Sequence, residues 1–203
     1  MNEPVFILKG NIIYSKSIKE FAVCEHGYLV CREGKVDGVY QTLPFRLGGN
    51  PVQDFGDCLI IPGLVDLHVH APQYSYRGLG MDMELLEWLE VNTFPEEAKF
   101  EDTDYARKAY RIFVDSMKKS ATTRACVFAT VHRPATLLLM DLLEESGLDT
   151  FVGKVNMDRN CPEYIQEETQ ESAEETVEWI KDVLHRKYTG THPILTPRSI
   201  PSC

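Results

Sequence analysis

The sequence predicts an α/β chain in two parts: a small β-domain over residues 1–62, then the N-terminal half of a (β/α)8 barrel of the TIM type over residues 63–203. Three observations predict it. Up to Pro62 the strand-like runs are separated by short, mostly glycine-containing turns. From Gly63 onward, strand-like segments alternate with helical ones, the pattern of parallel βα units. A complete barrel takes eight such units and typically about 250 residues, so 203 residues with a β-domain placed first hold about half of one. An open doubly wound sheet is the alternative, but its phosphate-binding glycine fingerprint is absent.

In the first part, residues 5–14 read as a strand broken at Gly10-Asn11. Residues 21–31 and 35–40 follow, with Gly27, Gly34 and Gly38 as turn points, and residues 57–60 resume the strand pattern after a Gly- and Pro-containing connection. No residue here joins a chemical constellation, so this part reads as scaffold. His26, in a Glu-His-Gly turn, reads as solvated. In the second part the predicted strands are 64–70, 123–130, 151–157 and 193–196. Between them lie three predicted helices. Residues 104–118 place Tyr105, Ala109, Ile112 and Phe113 on one face, and residues 135–145 are leucine-rich. Residues 172–188 place Ala173, Val177, Ile180 and Leu184 on one stripe, with Ser172 and Glu175 as a capping box.

Composition narrows the partners. Lysine and arginine number 21 against 31 acidic residues, a net charge of −10, which argues against binding a nucleic-acid backbone. No run of about 18 apolar residues offers a membrane span. Met1-Asn2-Glu3-Pro4 lacks the basic-then-apolar pattern of a signal peptide. Six cysteines without a C-x-x-C or a regular framework read as reduced thiols, which places the chain in the cytoplasm.

The chemistry concentrates at the ends of the predicted barrel strands, where barrel enzymes carry their active sites. The run Ile60-Ile61-Pro62-Gly63-Leu64-Val65-Asp66-Leu67-His68-Val69-His70 reads as a buried strand ending in two histidines. Residues i and i+2 of a strand share a face, so His68 and His70 present two imidazoles side by side. Such a pair is half of a site for zinc or another first-row metal. Gln73, in the loop beyond, reads as an exposed amide or as a group that both donates to and accepts from a ligand. His132, after the second strand, reads as a satisfied loop histidine or a second contributor to the same mouth. Arg198 offers a fixed fork of donors for a carbonyl or anion, or serves as a surface ion-pair partner. Glu84, Glu87, Glu96 and Glu97 read as helix-surface or capping residues.

Several separate stretches carry a resemblance. Pro62-Gly63-Leu64-Val65-Asp66-Leu67-His68-Val69-His70 resembles the metal-dependent amidohydrolase superfamily. The continuation Ala71-Pro72-Gln73-Tyr74, with Leu85-Leu86-Glu87-Trp88-Leu89, Thr93-Phe94-Pro95-Glu96, Gly153-Lys154-Val155-Asn156-Met157-Asp158 and Thr196-Pro197-Arg198, resembles its guanine deaminase family. The resemblance covers nearly the whole chain and is weakest over residues 1–55.

The resemblance implies a (β/α)8 barrel joined to a β-sandwich made from both ends of the chain, with residues 1–62 supplying the N-terminal part of the sandwich. It implies Zn2+ as cofactor, guanine and water as substrates, xanthine and ammonia as products, and a homodimer as the complete enzyme. It makes His68 and His70 metal ligands, and His70, Gln73 and Arg198 substrate-site residues. The family commonly has phenylalanine after this arginine, packed on the purine; Ser199 stands there, which removes that stacking partner and implies a weakened or displaced purine pocket. The family's remaining ligands and its proton-shuttling glutamate follow the fourth strand, so no residue of this chain takes those roles. The chain stops at Cys203 without a helix cap or solvated tail, which reads as truncation and leads us to expect these residues alone to be inactive. The rival expectations are an amidohydrolase acting on another aminopurine, a pyrimidine or a triazine, and a non-catalytic short product that binds full-length subunits.

Overall fold

The structure, a computed structural model, describes residues 5–203, and Met1-Asn2-Glu3-Pro4 lies outside the described residues. The chain divides into two units, Met1–Pro62 and Gly63–Cys203.

The first unit is a four-stranded sheet of β1 (Val5–Ser17), β2 (Glu20–Arg32), β3 (Lys35–Tyr40) and β4 (Val52–Ile60), in the order β3-β2-β1-β4. β1 pairs antiparallel with β2 and parallel with β4. Its small core gathers Ile7, Val30 and Leu47. The break expected at Gly10-Asn11 is a β-bulge: the register steps from Gly10↔Gly27 to Ile12↔Cys24. His26 sits in that irregularity at φ 49°, not in a turn, and its backbone N–H donates to Asn11 Oδ1 at 2.9 Å. β4 begins five residues before the expected strand, since alternation alone does not mark the exposed residues from Val52 on.

The second unit is a mixed α/β body around a parallel sheet. β5 (Leu64–His70), β6 (Thr122–Phe128), β7 (Asp149–Gly153) and β9 (Thr191–Pro193) lie side by side in chain order, and every pair is parallel. A two-residue strand β8 (Val155–Asn156) pairs with β10 (Thr196–Pro197), so each of the last two expected strands is split in two. Gly153 stands at the split: a Cβ there would lie 2.1 Å from Thr196 Oγ1, so only glycine admits this approach. The core lies between sheet and helices, with Ala125, Val127 and Val152 against Tyr110, Phe113, Leu139 and Leu143.

Beyond β5 the chain runs through a 3-10 segment, Ala71–Tyr76, and then α1 (Leu85–Trp88), a π-helical turn at Leu89–Thr93 and α2 (Phe94–Ala98). α3 (Thr103–Lys118) is capped by Asp102, whose carboxylate accepts from Asp104 N at 2.8 Å. It buries Ala106, Tyr110, Phe113, Val114 and Met117, while Ile112, expected on the buried face, is exposed. α4 (Arg133–Ser146) ends on Gly147 at φ 75°, a left-handed cap.

α5 (Thr169–Arg186) starts three residues before the expected helix, and its cap is Glu168, which accepts from Glu171 N at 2.9 Å, rather than a box at Ser172. It buries Ser172, Trp179 and Val183, leaving Ala173, Val177 and Leu184 of the expected stripe exposed. β5 also departs from expectation. It is the end strand of its sheet, and Leu64, Val65 and Leu67 are exposed rather than buried. No helix among the described residues is long and apolar enough to cross a membrane.

Candidate active site

The end of β5 sets the site. His68 and His70 share a strand face as the two-residue period requires, with ring centroids 5.0 Å apart and planes inclined at 69°. The β5–β6 register places Phe128 opposite His70. Its ring lies 4.6 Å from that of His68 and 4.7 Å from that of His70, stacked on the latter. Phe128 thus forms an apolar wall behind both imidazoles. His68 is exposed, whereas Nδ1 of His70 is buried with no hydrogen-bond partner. Burial, with Arg198 and His68 adding to it, lowers the His70 pKa to about 3. His70 is therefore neutral at physiological pH, the form in which imidazole ligates a metal.

The 3-10 segment after His70 carries Gln73 toward α2, where its Nε2 donates to Glu97 Oε1 at 3.4 Å. Arg198, just past β10 of the two-stranded β8–β10 pair, comes to the same carboxylate, its Nη1 donating to Glu97 Oε2. Both charges are buried: Glu97 is fully enclosed and the Arg198 side chain is 7% exposed. Burial pushes the Glu97 carboxyl up, against the pull of Arg198 and Gln73. Arg198 Cζ also lies 5.5 Å from the centre of the Phe94 ring.

These residues border one cavity of about 980 Å³, lined by His68, His70, Gln73 and Arg198, with Trp88 and Ser199 farther round. Lys154, buried after β7, donates to Glu167 Oε1 at 2.5 Å, and Glu167 Oε2 accepts from Met157 N and Ser172 Oγ.

Four residues from the sequence thus come together: His68, His70, Gln73 and Arg198. His132 does not line this cavity; it precedes α4, half-buried, with Nε2 enclosed and unpartnered. Glu97 overturns its expectation: it is an enclosed acceptor, not a surface residue; Glu84 and Glu87 are exposed as expected, while Glu96 is half-buried and accepts from Lys99 Nζ and Tyr105 Oη. Glu97 and Phe128 are the site residues that sequence reasoning missed. For Phe128 a signal existed, since adjacent parallel strands place their last residues together. Ser199 lines the cavity with no ring, its Oγ 2.8 Å from Ser202 Oγ.

Residues 59–203 match the amidohydrolase family. The chain belongs to the amidohydrolase family. Among curated amidohydrolase relatives, it is 43% identical to a guanine deaminase of Dictyostelium discoideum, the match covering all of this chain and 49% of that protein. It is 48% identical to a guanine deaminase of Pongo abelii over 70% of this chain and 32% of that protein. A crystal structure of guanine deaminase from C. acetobutylicum, with guanine bound in its active site, superposes with a TM-score of 0.91 at 44% identity, covering 98% of this chain and 48% of that one. This amidohydrolase chain therefore spans about half the length of the relatives it matches.

Proposed function

We propose that the protein is a zinc-dependent guanine deaminase, hydrolysing guanine to xanthine and ammonia, and that this chain supplies the first four βα units of its barrel, part of its β-sandwich, two metal ligands and the purine-recognition wall. The observation that carries the proposal is the joining of Gln73 and Arg198 through buried Glu97, on the border of the cavity that the His68–His70 pair also lines. Parallel strands in chain order support the barrel, and the exposed apolar residues of β5 and α5 are the kind of surface that further barrel elements cover.

The chemistry of the donors fits a metal. His70 is neutral, its enclosed Nδ1 is unpartnered, and His68 stands beside it. Among the described residues no group of three or more His, Cys, Asp or Glu side chains is placed to hold an ion, so the pair supplies part of a coordination shell. Zinc, when bound, supplies the Lewis acidity that makes water a source of hydroxide near neutral pH. The chain's own residues bind and orient. Gln73 accepts from guanine N1–H and Arg198 donates to its C6 carbonyl, which turns the adjacent C2 toward the imidazoles. Phe128 shields the histidines from water on one side. The six free cysteines support a reducing, cytoplasmic setting.

The test is turnover by the complete zinc-loaded protein, followed by loss of the guanine ultraviolet band and release of ammonia. Conversion of guanine but not adenine is expected. Conversion of a triazine or pyrimidine with guanine untouched would overturn the proposal.

A further inference from the structure

Glu97 has no place in the chemistry outlined above, yet it is fully buried and joins the two polar groups of the cavity wall. A carboxylate only accepts hydrogen bonds, whereas a glutamine amide has a donor end and an acceptor end of nearly the same shape. The amide end that meets Glu97 is therefore Nε2, leaving Oε1 as the end available to the cavity. The second oxygen of Glu97 takes Nη1 of Arg198, and the guanidinium keeps further N–H groups for a ligand. The wall consequently presents one acceptor beside one donor.

We infer that Glu97 is the positioning residue that sets substrate selectivity, locking Gln73 and Arg198 into an acceptor–donor pair that matches a lactam edge, N–H beside C=O, and rejects an edge whose ring nitrogen carries no proton. This rests on the guanine proposal and deepens it. Glu97 contacts the two recognition residues and not the reacting atoms. Its enclosure makes the arrangement sharp, because Glu97 is fully buried and loses a hydrogen-bond partner whenever Gln73 or Arg198 turns away from it. Neither neighbouring histidine supplies a competing acceptor to Gln73: the hydrogen bond from its amide goes to Glu97.

Guanine and 2-aminopurine carry the same C2 amino group and differ only at the edge in question, so the ratio of their kcat/KM values in the complete metal-loaded protein reads the orientation. The wild type is expected to favour guanine. In Glu97→Gln the neighbour offers both a donor and an acceptor, Gln73 takes either orientation, and the ratio falls about tenfold or more, with 2-aminopurine turnover held or raised. Glu97→Asp, which keeps the carboxylate, retains the ratio even where overall turnover drops. A purely structural role predicts the opposite result: both substrates decline together in Glu97→Gln and the ratio stays constant, which would overturn the inference. Should Glu97→Gln fail to fold, the wild type still decides. Its Gln73 Nε2 protons, followed by 15N–1H correlation without ligand, are expected to show slowed solvent exchange, and rapid exchange would overturn the lock. A wild type that converts neither purine removes the guanine proposal and this inference with it, whereas a wild type selective for guanine with an unchanged Glu97→Gln ratio removes the inference alone.

Discussion

Lys154 Nζ lies 2.5 Å from Glu167 Oε1, with the lysine side chain 1% exposed and the glutamate 15%. The pair ties the end of β7 to the segment that leads into α5, because Glu167 Oε2 also accepts from Met157 N at 3.0 Å and Ser172 Oγ at 2.9 Å. Removing one partner of such a pair strands the other in a poorly solvated place. Lys154→Met is expected to cost about 3–5 kcal/mol in urea unfolding. A Lys154→Met, Glu167→Leu double variant should lose less than the sum of the two single losses, and strict additivity would show the groups to be independent.

Acid sensitivity should be traceable to Glu144 on α4. Burial raises its pKa, but hydrogen bonds from Thr189 N and Oγ1, Gly190 N and Thr191 N outweigh this and hold the carboxyl below its ordinary 4.5. A folded-state pKa below the unfolded one means stability that is present above pH 4.5 and lost as pH falls through the folded value. Chemical denaturation from pH 6 to pH 3 should therefore show a smaller acid loss in Glu144→Gln than in the wild type.

Losing second-sphere partners of metal-binding histidines typically costs about 10–100-fold in affinity, so His68→Ala should weaken zinc binding by at least that factor in chelator competition. Phe128→Leu keeps both imidazoles and should change zinc affinity less than His68→Ala. Equal losses would mean that the aromatic wall, not the nitrogen donors, controls retention.

Arg198→Lys keeps the charge beside Glu97 but replaces a planar fork with a point donor. It is expected to lower kcat/KM for guanine about 10–100-fold, the effect of about 1–3 kcal/mol from one mismatched buried polar contact. Circular dichroism should stay native, since the ion pair to Glu97 survives.

Legibility in the sequence followed the range of the interaction. His68 and His70 were readable because a strand's period of two is local, and Gln73 and Arg198 took their roles from motif resemblance. Glu97 was not: in Phe-Pro-Glu-Glu-Ala it looks like any solvated helix carboxylate, and only Arg198, 101 residues later, makes it an enclosed acceptor. α5 shows another limit. Its sequence carries two apolar stripes at helical spacing, and periodicity does not rank Ala173–Val177–Leu184 against Trp179–Val183; packing of the larger Trp179 into the core does. β5 read as buried because it is apolar, yet exposure depends on neighbours that no local pattern contains.

The strand that bears both imidazoles is also the border of its sheet. Whatever backbone zips onto that free margin fixes the pitch of the two rings at the same time. Ion capture and closure of the sheet then become linked equilibria: zinc should favour annealing of a further strand, and annealing should raise the affinity for zinc by the same factor.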